Sequence, residues 1–134
     1  MKPDIEAKFA SYPVEAQQQL KDIRRLVFSV AEEHGLGAVD ETLKWGEASY
    51  CVKGGSPIRI DWKAKDPNAI KVYFHCQTSL VETFREIYRE EFEYEGNRAI
   101  VIPLGAFAGA GPLRHCLQIA MQYHSLKHLP LLGA

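Results

Sequence analysis

Apolar residues recur every three or four positions between about Pro13 and His34. Ala16, Leu20, Ile23, Leu26, Val27, Val30 and Ala31 share one side of a helical projection. Glu15, Gln18, Asp22, Arg25 and Glu33 take the other side, which predicts a long amphipathic helix stopped by Gly35. Phe28 falls on the polar side, so it is expected to be exposed or covered by another segment. "ETLKW", residues 41–45, reads as a short helical turn with Asp40 as its N-cap and Gly46 as its stop. From there the period drops to two. Ala48, Tyr50 and Val52 oppose Ser49, Cys51 and Lys53. Ile58, Ile60, Trp62 and Ala64 oppose Arg59, Asp61, Lys63 and Lys65. In a third segment Ile70, Val72, Phe74 and Cys76 oppose Lys71, Tyr73 and His75. "KGGSP" and "KDPN" read as tight turns between these strands.

The helical period returns after Ser79, which forms a capping-box signature with Glu82. Leu80, Phe84, Ile87 and Tyr88 line one side of that helix. Two short strands, "FEYE" and "RAIVIP", meet at Gly96-Asn97, a hairpin signal. A final helix runs from Pro112 to about His128. Successive strands joined by short turns must pair antiparallel. The expectation is therefore an α+β fold: a single antiparallel sheet of about five strands, with three main helices packed on one face, in the order α-β-β-β-α-β-β-α. One domain spans 1–134, with 1–11 as a loosely ordered N-terminal segment.

Composition narrows the function classes. The chain has 134 residues, 46% hydrophobic and 25% charged, the mix of a globular domain with a real core. A formal net charge of -1 gives no bulk attraction to nucleic acid or to an anionic membrane, so nucleic acid is not an expected partner. The longest apolar run, Ala99 to Leu104, is too short to span a bilayer. "MKPDIEAKFASYP" carries Asp4 and Glu6 and no apolar stretch, so a cytoplasmic protein is expected. Cys51, Cys76 and Cys116 are odd in number and lack CxxC spacing, which argues against a disulfide framework and a cysteine zinc site.

Several groupings carry candidate chemistry. Trp45 beside Gly46 has two readings. Its ring swings back over the sheet and anchors the turn, removing on the order of 200 Å² from water. Or Lys44, Trp45, Glu47 and Tyr50 form the rim of a ligand pocket with an aromatic floor and charged edges. Arg98, at the mouth of the last strand, is available to an anionic ligand. The outward sheet face interleaves basic residues with Tyr73, and Cys51, Asp61 and His75 share that face as possible metal ligands. Glu82, Glu86 and Glu90 stand at helical spacing and could hold a hard or borderline cation. Arg85 and Arg89 interleave with them as surface ion-pair partners. His124 and His128 are one helical turn apart, as a two-histidine zinc pair requires, with His124 in the apolar stripe of the last helix. "GAFAGAG", residues 105–111, either presents backbone N–H groups to an anion or packs close to the sheet. There is no P-loop, GxGxxG or GxSxG motif.

The amphipathic first helix, "ETLKWGEASY" leading into the sheet, the central helix and the late "GNRAIVIP" strand together resemble the YdhG-like family, small bacterial proteins of unknown function. The resemblance covers about residues 12–128. It implies an α+β fold and a frataxin-like iron-chaperone association, in which the glutamates of 82–95 would face the metal. The leading expectation is a non-catalytic binding or accessory protein for a small anionic ligand, with Lys44, Trp45, Tyr50 and Arg98 at its site and no cofactor. A metal carrier for iron or zinc is the alternative. A third is a homodimeric interaction module with Tyr73 and Trp62 near its seam.

Overall fold

The computed structural model describes residues 1–106 and 110–134. Its N-terminal segment is a helix, α1, Pro3–Ala10, rather than loose chain. Pro3 sits in the first turn, Asp4 and Glu6 lie at the positive end of the helix dipole, and Lys8 lies near the negative end. Ile5 and Phe9, one turn apart, are fully buried. Each contributes roughly 1.5–3 kcal/mol, enough to dock so short a helix.

The long amphipathic helix α2 spans Val14–Glu33 and buries the predicted apolar stripe. The next element corrects the expectation. "ETLKW" is not a helical turn: β1, Asp40–Lys44, pairs with β2, Glu47–Cys51, and Lys44 faces Glu47 across a two-residue turn. The cause is tertiary. Glu41 and Leu43 point to the helix layer while Thr42 and Lys44 point away, a period of two that overrides the Asp40 cap signal.

β3, Ile58–Lys63, and β4, Asp66–Phe74, continue the antiparallel sheet, with a register shift between Trp62 and Lys63. Their turn is Ala64-Lys65, so Asp66, Pro67 and Asn68 of "KDPN" belong to β4. "KGGSP" likewise is no tight hairpin. It lies in a wider loop held to the last helix by Ser56 N–H donating to the Ala120 carbonyl at 2.9 Å. Gly55 is required there, because an added Cβ would lie 2.7 Å from the Met121 carbonyl oxygen.

Helix α3, Leu80–Ile87, starts after Ser79, but the Ser79 side chain makes no capping bond; the Thr78 hydroxyl accepts from Leu80 N–H at 3.3 Å instead. The hairpin β5, Glu93–Glu95, and β6, Ala99–Pro103, turns through Gly96, Asn97 and Arg98. The last helical region is broken into α4, Ala110–Met121, and α5, Tyr123–Leu126, before a 3₁₀ turn at Pro130–Gly133. The fold is therefore α+β, with one antiparallel sheet of six strands, ordered β1-β2-β3-β4-β6-β5, and five helices among the described residues. Among the described residues no helix is long and apolar enough to cross a membrane.

One core fills the space between sheet and helices. Tyr50, Ile58, Ile60, Ile70, Val72 and Ile100 enter it from the sheet, and Leu20, Ile23, Val27, Phe84 and Leu117 from the helices. Phe28 is covered: Tyr50 meets it edge-on at 6.0 Å between ring centroids, and the Arg24 guanidinium lies 4.5 Å from its centroid. Arg24 in turn grips Glu41 with two hydrogen bonds, at 2.6 and 3.1 Å, tying β1 to α2. Burial opposes ionisation of Glu41, but the hydrogen bonds and charge of Arg24, with smaller contributions from its other neighbours, together hold the carboxyl below its ordinary value. That pair fixes the base of the β1–β2 hairpin.

Candidate outer-face binding site

At the tip of this hairpin Trp45 and Gly46 both have positive φ, 55° and 75°. Positive φ at both central residues is the signature of the type I′ turn, whose twist matches the flanking strands and which favours Asn-Gly. Glycine fits the second position; an indole does not suit the first. The left-handed conformation costs a side-chain-bearing residue roughly 1–2 kcal/mol. Nothing local repays it, because Trp45 is 90% exposed. The reading in which this ring anchors the turn by burial is therefore wrong: a strand hairpin projects it outward instead of folding it back.

Alternation along the strands puts Ser49, Arg59, Asp61, Lys71 and Tyr73 on the face away from the helices. Charge on this face is organised in two clusters. Lys63 Nζ bridges Glu47 Oε2 at 2.8 Å and Asp61 Oδ2 at 2.9 Å, while Arg59 Nε stands 3.5 Å from Glu47 Oε1. Tyr12, just beyond α1, donates its hydroxyl to Asp61. Lys71 Nζ bridges Glu95 at 2.8 Å and Asp66 at 3.1 Å. Burial works against the charge of Lys63, but its bonds to Glu47 and Asp61 prevail and keep the ammonium protonated. For Lys71 the Glu95 bond dominates with the same result. The Tyr12 hydroxyl is pushed up by burial and by Asp61.

Two neighbouring hollows lie on this face. The first, about 330 Å³, brings Trp45 and Arg98 together, with Arg59, Lys63, Lys65 and Lys71 against the carboxylates of Glu47 and Glu95. The second, about 460 Å³, is lined by Lys44 and Trp45 with Thr42, Ser49, Cys51 and His75. Trp45, Arg59 and Phe74 border both. Lys63 and Lys71 are neutralised by their carboxylates. Among the described residues Arg98 and Lys65 make no ion pair, and both are exposed, so they remain available to an external anion. Cys51 is a poor nucleophile, its thiol pushed up by burial and by Asp40.

Of the four ligand residues expected from sequence, Trp45 and Arg98 line the first hollow and Lys44 and Trp45 the second. Tyr50 lines neither. It is 1% exposed and points into the core, because alternation puts it with Ala48 on the helix side, and burial pushes its hydroxyl pKa up. Its hydroxyl lies beside the Arg24–Glu41 pair without a well-formed hydrogen bond. Lys65, expected on the outward face of a strand, lies in the β3–β4 turn instead, and it was not singled out as a ligand residue. Nor was Arg59 singled out as shared by two hollows; its alternation with Ile58 and Ile60 was the available signal.

The metal expectations fare differently. Among the described residues no group of three or more His, Cys, Asp or Glu side chains is placed to hold a metal ion. Glu82 and Glu86 are exposed one turn apart on α3, but the helix ends at Ile87, so Glu90 leaves the row. His124 is exposed on α5 rather than semi-buried in a stripe. His128 lies beyond the end of α5 at Leu126, which dissolves the one-turn spacing. Cys51 and His75 border the second hollow, whereas Asp61 is held by Tyr12 and Lys63. Trp62 and Tyr73 do not share a face: Trp62 pairs with Ile70 and Tyr73 with Arg59. For "GAFAGAG", Gly105 N–H donates to the buried Gln19 Oε1 at 2.9 Å, and residues 107–109 lie outside the described residues.

Comparison with protein families, with curated proteins and with solved structures found no match to this chain.

Proposed function

We infer that this chain is a non-catalytic binding or accessory protein whose outer sheet face takes a small anionic ligand. One observation carries the reading. A tryptophan occupies a left-handed turn position that Asn or Gly would fill without strain, and its ring contributes almost nothing to the core. Local strain at a residue with no packing role is an expected mark of a binding surface. The ring stands over a hollow where Arg98 and Lys65 are unneutralised, so an aromatic wall and a free guanidinium converge. The resemblance to YdhG-like proteins enters this reading only through the Lys44-Trp45-Gly46 turn on which both rest. A catalytic role has less support, because the thiol of Cys51 and the phenol of Tyr73 are both pushed toward their neutral forms by burial.

Isothermal titration of the full chain with inorganic pyrophosphate tests it. Binding is expected that weakens as salt rises. Arg98→Ala should weaken it by about tenfold, since a hydrogen bond to a charged group contributes roughly 1.5–3 kcal/mol. Absence of binding, or an Arg98→Ala variant that binds as well as wild type, would refute the reading.

A further inference from the structure

The two hollows differ in chemistry, and that difference describes the ligand. The first is a charged basin with Arg98 and Lys65 at its rim. The second is larger and offers the hydroxyls of Thr42 and Ser49, cross-strand neighbours on β1 and β2, with Pro57, His75 and Cys51, and its charged members are Asp40, Lys44 and Arg59. Trp45 and Arg59 belong to both. A ligand spanning them has a flat, weakly polar part beside the indole and an anionic part reaching past Arg59 to Arg98.

The count of free rings limits how many flat parts it carries. Proteins that hold single-stranded nucleic acid offer successive aromatic platforms, one for each base. Here Tyr73 is half-buried and Lys63 Nζ sits 5.9 Å from its ring centroid, so that face is occupied. Trp62 is engaged with Tyr12 at 5.3 Å between centroids. Trp45 alone presents an open ring to the outer face among the described residues. We propose that the outer face is a mononucleotide site, with the base stacked on Trp45 in the hydroxyl-lined hollow and the phosphates held by Arg59, Arg98 and Lys65 in the neighbouring basic one. This rests on the anion-binding reading above and specifies its ligand class.

The experiment compares four probes on the full chain by calorimetry: pyrophosphate, adenosine, ADP and a short oligoadenylate. ADP should bind at least about tenfold more tightly than pyrophosphate, the order of effect that stacking one base contributes. Adenosine alone should bind more weakly than ADP. Trp45→Ala should shrink the ADP-over-pyrophosphate ratio to within about twofold, and Arg98→Ala should weaken both ligands together. Both side chains are exposed, so both variants are expected to fold, and circular dichroism melting verifies it. In a Trp62→Phe background Trp45 is the sole tryptophan, and ADP but not pyrophosphate should quench its fluorescence. Pyrophosphate binding as well as ADP would overturn the nucleotide inference while leaving the anion site standing. No binding of either would overturn both. Oligoadenylate binding more tightly than ADP would overturn the single-base site in favour of a strand.

Discussion

Two hairpin turns lie at the same end of the sheet, and each has a tryptophan at hand. In the β3–β4 hairpin the turn is Ala64-Lys65, and Trp62 lies just before it. The Trp62 ring packs at a tilt against Tyr12, and its Nε1 donates to the Pro67 carbonyl at 3.0 Å. In the β1–β2 hairpin the tryptophan is itself a turn residue, with positive φ, and its ring is open to solvent. One ring is spent on the fold and the other is kept off it. Equal residue types in similar local settings thus carry different roles, and the difference lies in backbone conformation and in what each ring touches.

The largest expected effect separates the two directly. Trp62→Ala removes a packed ring and a hydrogen bond and should destabilise the protein by about 3 kcal/mol, the lower end for tryptophan truncation because the residue is only half-buried. Trp45→Ala should cost nothing measurable. Urea unfolding of both variants settles it. A Trp45→Ala loss above about 1 kcal/mol would mean the indole supports the fold after all, beyond the range of ordinary surface substitutions.

The second effect tests what holds the Trp45 hairpin in place. Glu41 keeps its carboxyl below the ordinary value of 4.5 because Arg24, with smaller contributions from its other neighbours, outweighs the cost of burial. A folded-state pKa below the unfolded one stabilises the protein above the unfolded value, and that contribution fades as pH falls through the lowered folded value. Glu41→Gln should therefore cost about 1–2 kcal/mol at neutral pH, less than full disruption of a deeply buried pair because Arg24 keeps some exposure. The gap between variant and wild type should close as pH falls below the ordinary carboxyl value and through the lowered folded one. Melting temperatures between neutral and acid pH would show it; a gap that stays constant would remove Arg24–Glu41 from the account.

How much of this was legible in the sequence follows the same division. Where side-chain period and burial agreed, as along α2 and along the alternating runs Ala48–Tyr50, Ile58–Trp62 and Ile70–Phe74, the pattern gave the right element and the right face, while the turns between them were misplaced. That is why Tyr73 and Lys71 were placed outward correctly. The α+β class and the antiparallel sheet followed from those segments. The misses are places where a few long-range contacts decide. α1 carries only Ile5 and Phe9 as anchors, too few to make a stripe. β1 shows a cap residue and a glycine at helical spacing, yet the register with β2 and the Arg24–Glu41 bond make it a strand. Tyr50 was assigned to a pocket rim because it follows Trp45 closely, although its own alternation with Ser49 already placed it inward. Positive φ at Trp45 was invisible, because turn chemistry names Asn and Gly for that position and an indole gives no such signal.

The smallest effect has the opposite sign and reaches furthest. Trp45→Asn turns the hairpin tip into Asn-Gly, the sequence that a type I′ turn favours. Asparagine tolerates the left-handed region, so the variant should be more stable than wild type by about 0.5–1 kcal/mol, and its melting point should rise by about 2–5 °C. The same change removes the only open ring that the described residues place beside the two hollows, so ADP affinity should fall as stability rises. Stability gained at the expense of binding is expected where a strained residue serves a site rather than the fold. A Trp45→Asn protein that is less stable than wild type would show that the indole relieves more strain than it causes, and the contrast with Trp62 would collapse. A variant that is more stable and binds ADP as before would keep the strain argument and take the ligand away from this ring.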